Sequence, residues 1–464
     1  MQYLSTRGGD AGKSFEDVLL AGLAADGGLF VPAEWPCFSK GEWRSLQNHS
    51  WAGVAAMVMK PFVGDFLTGQ ELHALVEDAQ ETFSHAATTP LKQLDDTLFL
   101  LELFHGPTLA FKDVAMQILA RMMDIALMRR GETVTIVGAT SGDTGSAAIE
   151  AFRHSSRVRI FILHPHERVS PIQRRQMTTV DAPNVFNLAI EGDFDDCQAL
   201  VKQMFNDAPF RNRMKLAGVN SINWGRILAQ VIYYATSALA LGAPDRSLCY
   251  VVPTGNFGDI FAGYVARQMG LPIDRLVVAT NLNDILHRAL TTGRYEVAEK
   301  VLPTSSPSMD IQVSSNFERL LFDAVERDAA ALKGLMDQLA QSGGFTIPET
   351  AQAWMRQLFA SGRASEEDVR ETIRRVHEQT GEVVDPHTAV ALHVAQAHIG
   401  HAHTVVSLAT AHPAKFPDAV QAACGVSPAL PPHMRHIMEA EEHFTVLPAE
   451  LEAVEGFIAS HVEG

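Results

Sequence analysis

From about residue 93 onward, short apolar runs alternate with amphipathic stretches. The runs predict strands over Leu98–Leu103, Val134–Gly138, Arg159–His164, Val185–Ile190, Leu248–Pro253, Leu276–Thr280 and Thr404–Leu408. Each is rich in Leu or β-branched residues and nearly continuous, as expected of strands buried on both faces. Between them apolar positions return at helical spacing. Val114, Ile118, Met122 and Ile125 do so before a stop at Gly131, and Asp195–Phe205, Arg226–Leu241 and Asp259–Met269 look similar. Strand–helix alternation predicts an α/β fold, with parallel-type sheets covered by helices on both faces. In such folds ligands sit outside the carboxyl ends of the strands. Loops that leave a strand and open a helix are therefore where chemistry is expected.

The flanking regions read differently. The first ninety or so residues are mixed, with turns such as Ala33-Glu34-Trp35-Pro36. Near the end, Ser365–His377 reads as a charged helix capped by its serine. The run Pro428-Ala-Leu-Pro-Pro432 breaks the chain, and a last helix is predicted at about Ala449–His461. This tail is expected to pack onto the catalytic body.

Composition narrows the function classes. The 464 residues are 47% hydrophobic and 20% charged, as in globular proteins, and carry a formal net charge of −17. That balance disfavours nucleic acid as a partner, since phosphate backbones attract basic patches. It leaves room for a small anionic substrate in a local positive pocket. Cys37, Cys197, Cys249 and Cys424 are far apart and form no Cys-x-x-Cys pair, so they read as reduced core residues. Residues 1–13 lack the apolar core of a signal peptide and no long apolar run spans a membrane, so a cytoplasmic protein is expected.

Four segments could carry chemistry. In Leu101–Asp113 a strand ends, Gly106-Pro107 turns the chain and a helix is expected to start near Thr108, which puts Lys112 in its first turns. Ala110 and Phe111 beside it favour desolvation, and with the helix dipole this disfavours the ammonium form. An uncharged amine is what Schiff-base chemistry needs; the alternative is an ordinary solvated lysine. Gly138–Gly145 follows a strand and opens a helix, so its amides, with Thr140, Ser141 and Thr144, suit an anion or simply make a tight turn. Pro253-Thr-Gly-Asn-Phe-Gly-Asp259 repeats that arrangement, with Gly255 and Gly258 allowing close approach to a phosphate monoester. Ala409–Phe416 ends another strand and brings Thr410, His412 and Lys415, either to a ligand or to a structural turn.

Two further patterns are weaker. Arg7–Ser14 is like a phosphate-binding P-loop but is one residue short between its glycines. His398, His401 and His403 gather near Gly400 without a carboxylate or cysteine to complete a metal site.

Taken together these segments resemble the threonine synthases, a branch of the fold type II (tryptophan-synthase-β-like) pyridoxal-phosphate enzymes. The resemblance runs along most of the chain. It rests on Ser5–Gly8, Ser14–Val18, Gly22–Pro32, Leu103–Asp113, Ala139–Gly145, Asn220–Asn223, Gly255–Asp259, Asp385–Ala391 and Thr410–Phe416. It implies an N-terminal domain over 1–92 and a catalytic region over 93–464, the latter as two interleaved subdomains with the smaller at about 131–245. It also implies that Lys112 carries pyridoxal 5'-phosphate as a Schiff base. Gly255, Asn256, Phe257, Gly258 and Asp259 would hold the cofactor phosphate, and Thr410 its pyridine nitrogen. Thr140, Ser141, Gly142, Asp143 and Thr144 would receive the substrate carboxylate. Lys415, Arg226 and His105, with Asn220 and Asn223 assisting, would face the substrate phosphate.

The implied reaction converts O-phospho-L-homoserine and water to L-threonine and phosphate, and no metal is implied. The matched branch is usually monomeric. The nearest competing activity is a fold type II dehydratase or phospholyase giving 2-oxobutyrate. A non-catalytic cofactor-binding protein and a nucleotide-binding protein built on Arg7–Ser14 are the competitors from other classes.

Overall fold

The apolar runs form the strands of two sheets, each in its own compact unit. The computed structural model describes residues 1–140, 142–399 and 404–463. One unit comprises Met1–Leu19, Leu23–Phe111 and Ser221–Ala429; the other comprises Leu20–Gly22, Lys112–Asn220 and Leu430–Gly464. The chain passes from the first to the second at Lys112 and returns at Ser221.

The first unit is built on a six-stranded sheet. Its order is Phe359–Arg363, Ile273–Thr280, Leu248–Pro253, Thr404–Ala409, Leu98–Glu102, Leu91–Gln93. Every adjacent pair is parallel except the last, where Leu91–Gln93 closes the edge antiparallel. All six residues of Leu248–Pro253 are buried, as a continuous apolar run in a two-faced sheet requires. The helices Trp224–Ala240, Gly258–Gln268 and Pro386–Ala395 pack within this unit. A small antiparallel sheet of Tyr3–Ser5, Ala11–Lys13 and Phe30–Pro32 belongs to it as well.

The second unit carries a five-stranded parallel sheet in the order Thr445–Pro448, Val185–Glu191, Val158–Pro165, Val134–Ala139, Leu216–Ala217. The tail divides between the units. Ser365 caps the helix Glu366–Thr380 in the first, while Thr445–Pro448 pairs with Val185–Glu191 in the second and the helix Leu451–Val462 packs there on Phe194–Asn206. The apolar runs fell where expected to within a few residues. The short strands Leu91–Gln93, Phe359–Arg363 and Thr445–Pro448 have no comparable apolar run to mark them.

The helix expected from Thr108 starts at Lys112. Pairing across the sheet delays it: the Phe111 amide donates to Thr410 O, the His412 amide to Leu109 O, and Ala110 bridges Ala411. Among the described residues no helix is long and apolar enough to cross a membrane, and no cluster of three metal-ligating side chains occurs. His401 and His403 lie outside the described residues.

Candidate active site

In the first unit the Leu98–Glu102, Leu248–Pro253 and Thr404–Ala409 strands are parallel neighbours, so their carboxyl-end loops emerge together. The loop after Leu248–Pro253 carries the glycines. Its main chain turns into the Gly258–Gln268 helix through Phe257, whose φ of 63° is left-handed. A non-glycine residue there is strained and persists only when its surroundings hold it. Here Phe257 packs edge-on against Phe317, with ring centroids 5.3 Å apart.

The loop's carbonyls are tied back on one side. Ser314 Oγ donates to Gly255 O at 2.7 Å, and the Asn316 amide and side chain both donate to Asn256 O at 3.0 Å. Among the described residues, none accepts a hydrogen bond from the amides of Gly255, Asn256, Phe257 or Gly258. Four amides at a helix start form an anion cradle. A Cβ on Gly255 would lie 2.9 Å from Ser308 O, so this position has room for glycine only.

Ser308 is itself held from a distance. Its amide donates to His387 Nε2 at 3.2 Å, while His387 Nδ1 lies 2.6 Å from Asp385 Oδ2. The proton therefore sits on Nδ1, and Asp385 fixes the tautomer. Asp385 also caps the Pro386–Ala395 helix, which gives the Asp385–Ala391 segment its role.

Asp259 follows the cradle and is buried. Its Oδ1 accepts from Tyr233 Oη at 2.6 Å and Tyr234 Oη at 3.0 Å, and its Oδ2 is buried without a partner among the described residues. Burial pushes this carboxyl up to about 7 against the two phenol hydrogen bonds, which act to lower it. Arg226, on the Trp224–Ala240 helix, is 3% exposed, and burial lowers its guanidinium to about 10. Lys415 is buried as well, and its Nζ donates to Thr108 O at 2.9 Å. His105 is paired with Glu102, Nε2 to Oε2 at 2.7 Å. Thr410 is buried, and among the described residues no group hydrogen-bonds its hydroxyl. Asn223 caps the Trp224–Ala240 helix and donates to Leu19 O, a structural role that sequence reasoning had not assigned.

The second unit brings together Lys112 and the turn after Val134–Ala139. Lys112 Nζ lies 3.3 Å from Asp143 Oδ2, with the two side chains 11% and 5% exposed. The flanking Ala110 and Phe111 thus do mark a shielded amine. A carboxylate at this distance, however, favours the charged form, so desolvation alone does not set its state. Thr140 Oγ1 accepts from the amides of Gly142 and Gly145, both at 3.0 Å, and holds the turn. Gly142 has φ 147°, which favours glycine. Ser141 lies outside the described residues, and Asn220 is exposed. Gln173, which sequence reasoning missed, donates from Nε2 to Asp143 Oδ1 at 2.8 Å.

Comparison with known proteins gives the same answer along the whole chain. Family models described as threonine synthase N terminus, pyridoxal-phosphate dependent enzyme and threonine synthase C-terminal match residues 2–80, 83–411 and 388–458. A threonine synthase of Pseudomonas aeruginosa is 51% identical over 463 residues, covering 99% of this chain and 98% of its own. A crystal structure of pyridoxal-phosphate-bound threonine synthase from Brucella melitensis is 56% identical, with a TM-score of 0.98 and full coverage of both chains. The threonine synthase structure from Escherichia coli is 31% identical, with a TM-score of 0.83, covering 99% of this chain and 100% of its own. The chain belongs to the threonine synthase family of pyridoxal-phosphate-dependent enzymes.

Proposed function

We propose that this chain is a threonine synthase that converts O-phospho-L-homoserine and water to L-threonine and phosphate, with Lys112 holding pyridoxal 5'-phosphate through Nζ. The observation that carries this reading is the pairing of a shielded lysine with Asp143 at 3.3 Å, beside a turn organised by Thr140. The residues present fit the cofactor. The four amides from Gly255 to Gly258 suit a phosphate, Asp259 follows at the helix start, and the Thr410 hydroxyl suits a ring nitrogen. When bound, the cofactor supplies an electron sink that makes the carbons next to the amino group acidic.

The chain's own residues do the remainder. With the cofactor bound, the Lys112 amine would move protons at the α- and β-carbons. Phosphate leaves from the γ-carbon, and water adds at the β-carbon. Thr140, Ser141, Gly142, Asp143 and Thr144 receive the substrate carboxylate. Arg226, Lys415 and His105, with Asn220 and Asn223, bind the leaving phosphate; the positive charge of the first two supports this, because charge-assisted hydrogen bonds stabilise a phosphate dianion. Residues 1–92 form the N-terminal domain, and a smaller subdomain at about 131–245 sits within the 93–464 catalytic region. The protein acts as a cytoplasmic monomer.

The test is the absorption spectrum of the purified protein before and after phosphohomoserine, with phosphate and threonine measured alongside. Visible absorbance near 410 nm together with equal release of the two products supports the reading. Release of 2-oxobutyrate instead would make the chain a phospholyase.

A further inference from the structure

We infer that Gln173 is a positioning residue that sets the reactivity of Lys112 through Asp143. This rests on Lys112 being the cofactor lysine. All four groups involved belong to the second unit, and they form one chain of hydrogen bonds. Ser170 caps the helix Pro171–Thr178: its Oγ accepts from the Gln173 amide at 3.4 Å and donates its proton to Gln173 Oε1 at 2.8 Å. That contact fixes the side-chain amide, because Oε1 is committed to Ser170 and Nε2 must face the other way. Nε2 then donates to Asp143 Oδ1 at 2.8 Å, and Asp143 Oδ2 meets Lys112 Nζ at 3.3 Å.

The arrangement is enforced sterically. Gln173 is 6% exposed and lies across the face of Gly142, where a Cβ would come within 2.6 Å of its Cδ and Nε2. A turn residue that must be glycine and a glutamine that fills its missing side chain together lock the rotamer. Gln173 reaches Lys112 through Asp143. It acts by turning one oxygen of Asp143 toward itself, so that the other is left aimed at the amine. The donated hydrogen bond fixes the carboxylate's orientation, and the oriented carboxylate stabilises the ammonium, which is unreactive until it loses a proton.

Replacing Gln173 should therefore free the Lys112 amine, and only by way of Asp143. The measurement is trace acetylation of the full-length chain freed of cofactor, at one fixed pH, with Lys112 read from its peptide by mass spectrometry. Gln173→Leu should raise Lys112 labelling about threefold to tenfold, a tenfold change corresponding to one pH unit in the amine's ionisation. Ser170→Ala, which releases the amide's orientation, should raise it less. Asp143→Asn should raise it at least as much as Gln173→Leu, and the double variant Gln173→Leu/Asp143→Asn should match Asp143→Asn alone.

Unchanged labelling in Gln173→Leu, or an effect of the same size on the Asp143→Asn background, would overturn the inference. A purely structural role predicts the second of these. Circular dichroism and the thermal midpoint identify a variant that has lost its fold, and Ser170→Ala then carries the test. Borohydride reduction of the loaded wild-type chain asks the separate question of attachment. A reduced adduct on another lysine would overturn Lys112 as the cofactor residue while leaving the labelling result intact.

Discussion

Asp259→Asn should make the protein more stable at alkaline pH and do so far less in mild acid. Asp259 is buried in the first turn of the Gly258–Gln268 helix, with one oxygen taking both Tyr233 and Tyr234 and the other buried without a partner among the described residues. Burial raises its ionisation from 3.8 to about 7. Between these values the folded chain keeps a proton that the unfolded chain has released. Stability therefore falls as pH rises through that window, and the loss is complete above about pH 7. At about 1.4 kcal/mol per tenfold, the full loss is about 4 kcal/mol. Asparagine keeps an Oδ1 acceptor for the two phenols and has nothing to ionise. Urea unfolding of both proteins from pH 4.5 to 8 reads the difference directly, because every other titrating group cancels. The variant's advantage should grow from about 1 kcal/mol at pH 4.5 to about 4 kcal/mol at pH 8. Parallel stability curves would refute the reasoning, since they would mean that Asp259 ionises as easily when folded as when unfolded.

Lys112→Ala should abolish the borohydride-reducible attachment and lower turnover by about 10²–10⁴-fold or more, measured as phosphate release. Gly255→Ala drives a Cβ to 2.9 Å from Ser308 O, the carbonyl of a residue whose amide donates to His387 Nε2, and should weaken cofactor binding about tenfold to a hundredfold in a fluorescence titration. Glu442 is held by Arg174, Arg175 and Thr178. Burial opposes its ionisation, but these partners outweigh burial and bring the carboxyl down to about 2. Its contribution is thus present above about pH 4.5 and lost as pH falls through about 2. Glu442→Gln should loosen residues 437–444, whose carbonyls at 437, 438 and 440 bind Arg175, and should raise protease nicking there about tenfold at neutral pH.

How much of this was legible in the sequence depends on the range of the interaction concerned. Leu248–Pro253 declared itself because every one of its residues is buried, and burial on both faces leaves a continuous apolar run. The Gly255–Asp259 loop declared itself because a glycine pair between a strand and a helix has few other uses. The start of the Lys112 helix did not, because Leu109, Ala110 and Phe111 are held out of the helix by residues some 300 positions away. Asp385 and His387 were visible as a motif, but the motif does not say that His387 accepts from Ser308, 79 positions earlier.

Gln173 was invisible for a physical reason. A glutamine three residues after a capping serine reads as helix surface, and nothing local distinguishes one that is 6% exposed from one in water. Its meaning comes from Gly142, whose missing side chain makes the room it occupies. The same holds for Lys112. Its apolar neighbours correctly indicated shielding, yet shielding and pairing pull the amine's charge in opposite directions. Only the fold reveals that Asp143, 31 residues on, supplies the pairing. Local sequence thus located the candidate groups, and distant contacts set the surroundings of each. Residues of the second kind will be found where a glycine is obligatory on the face opposite a buried polar side chain.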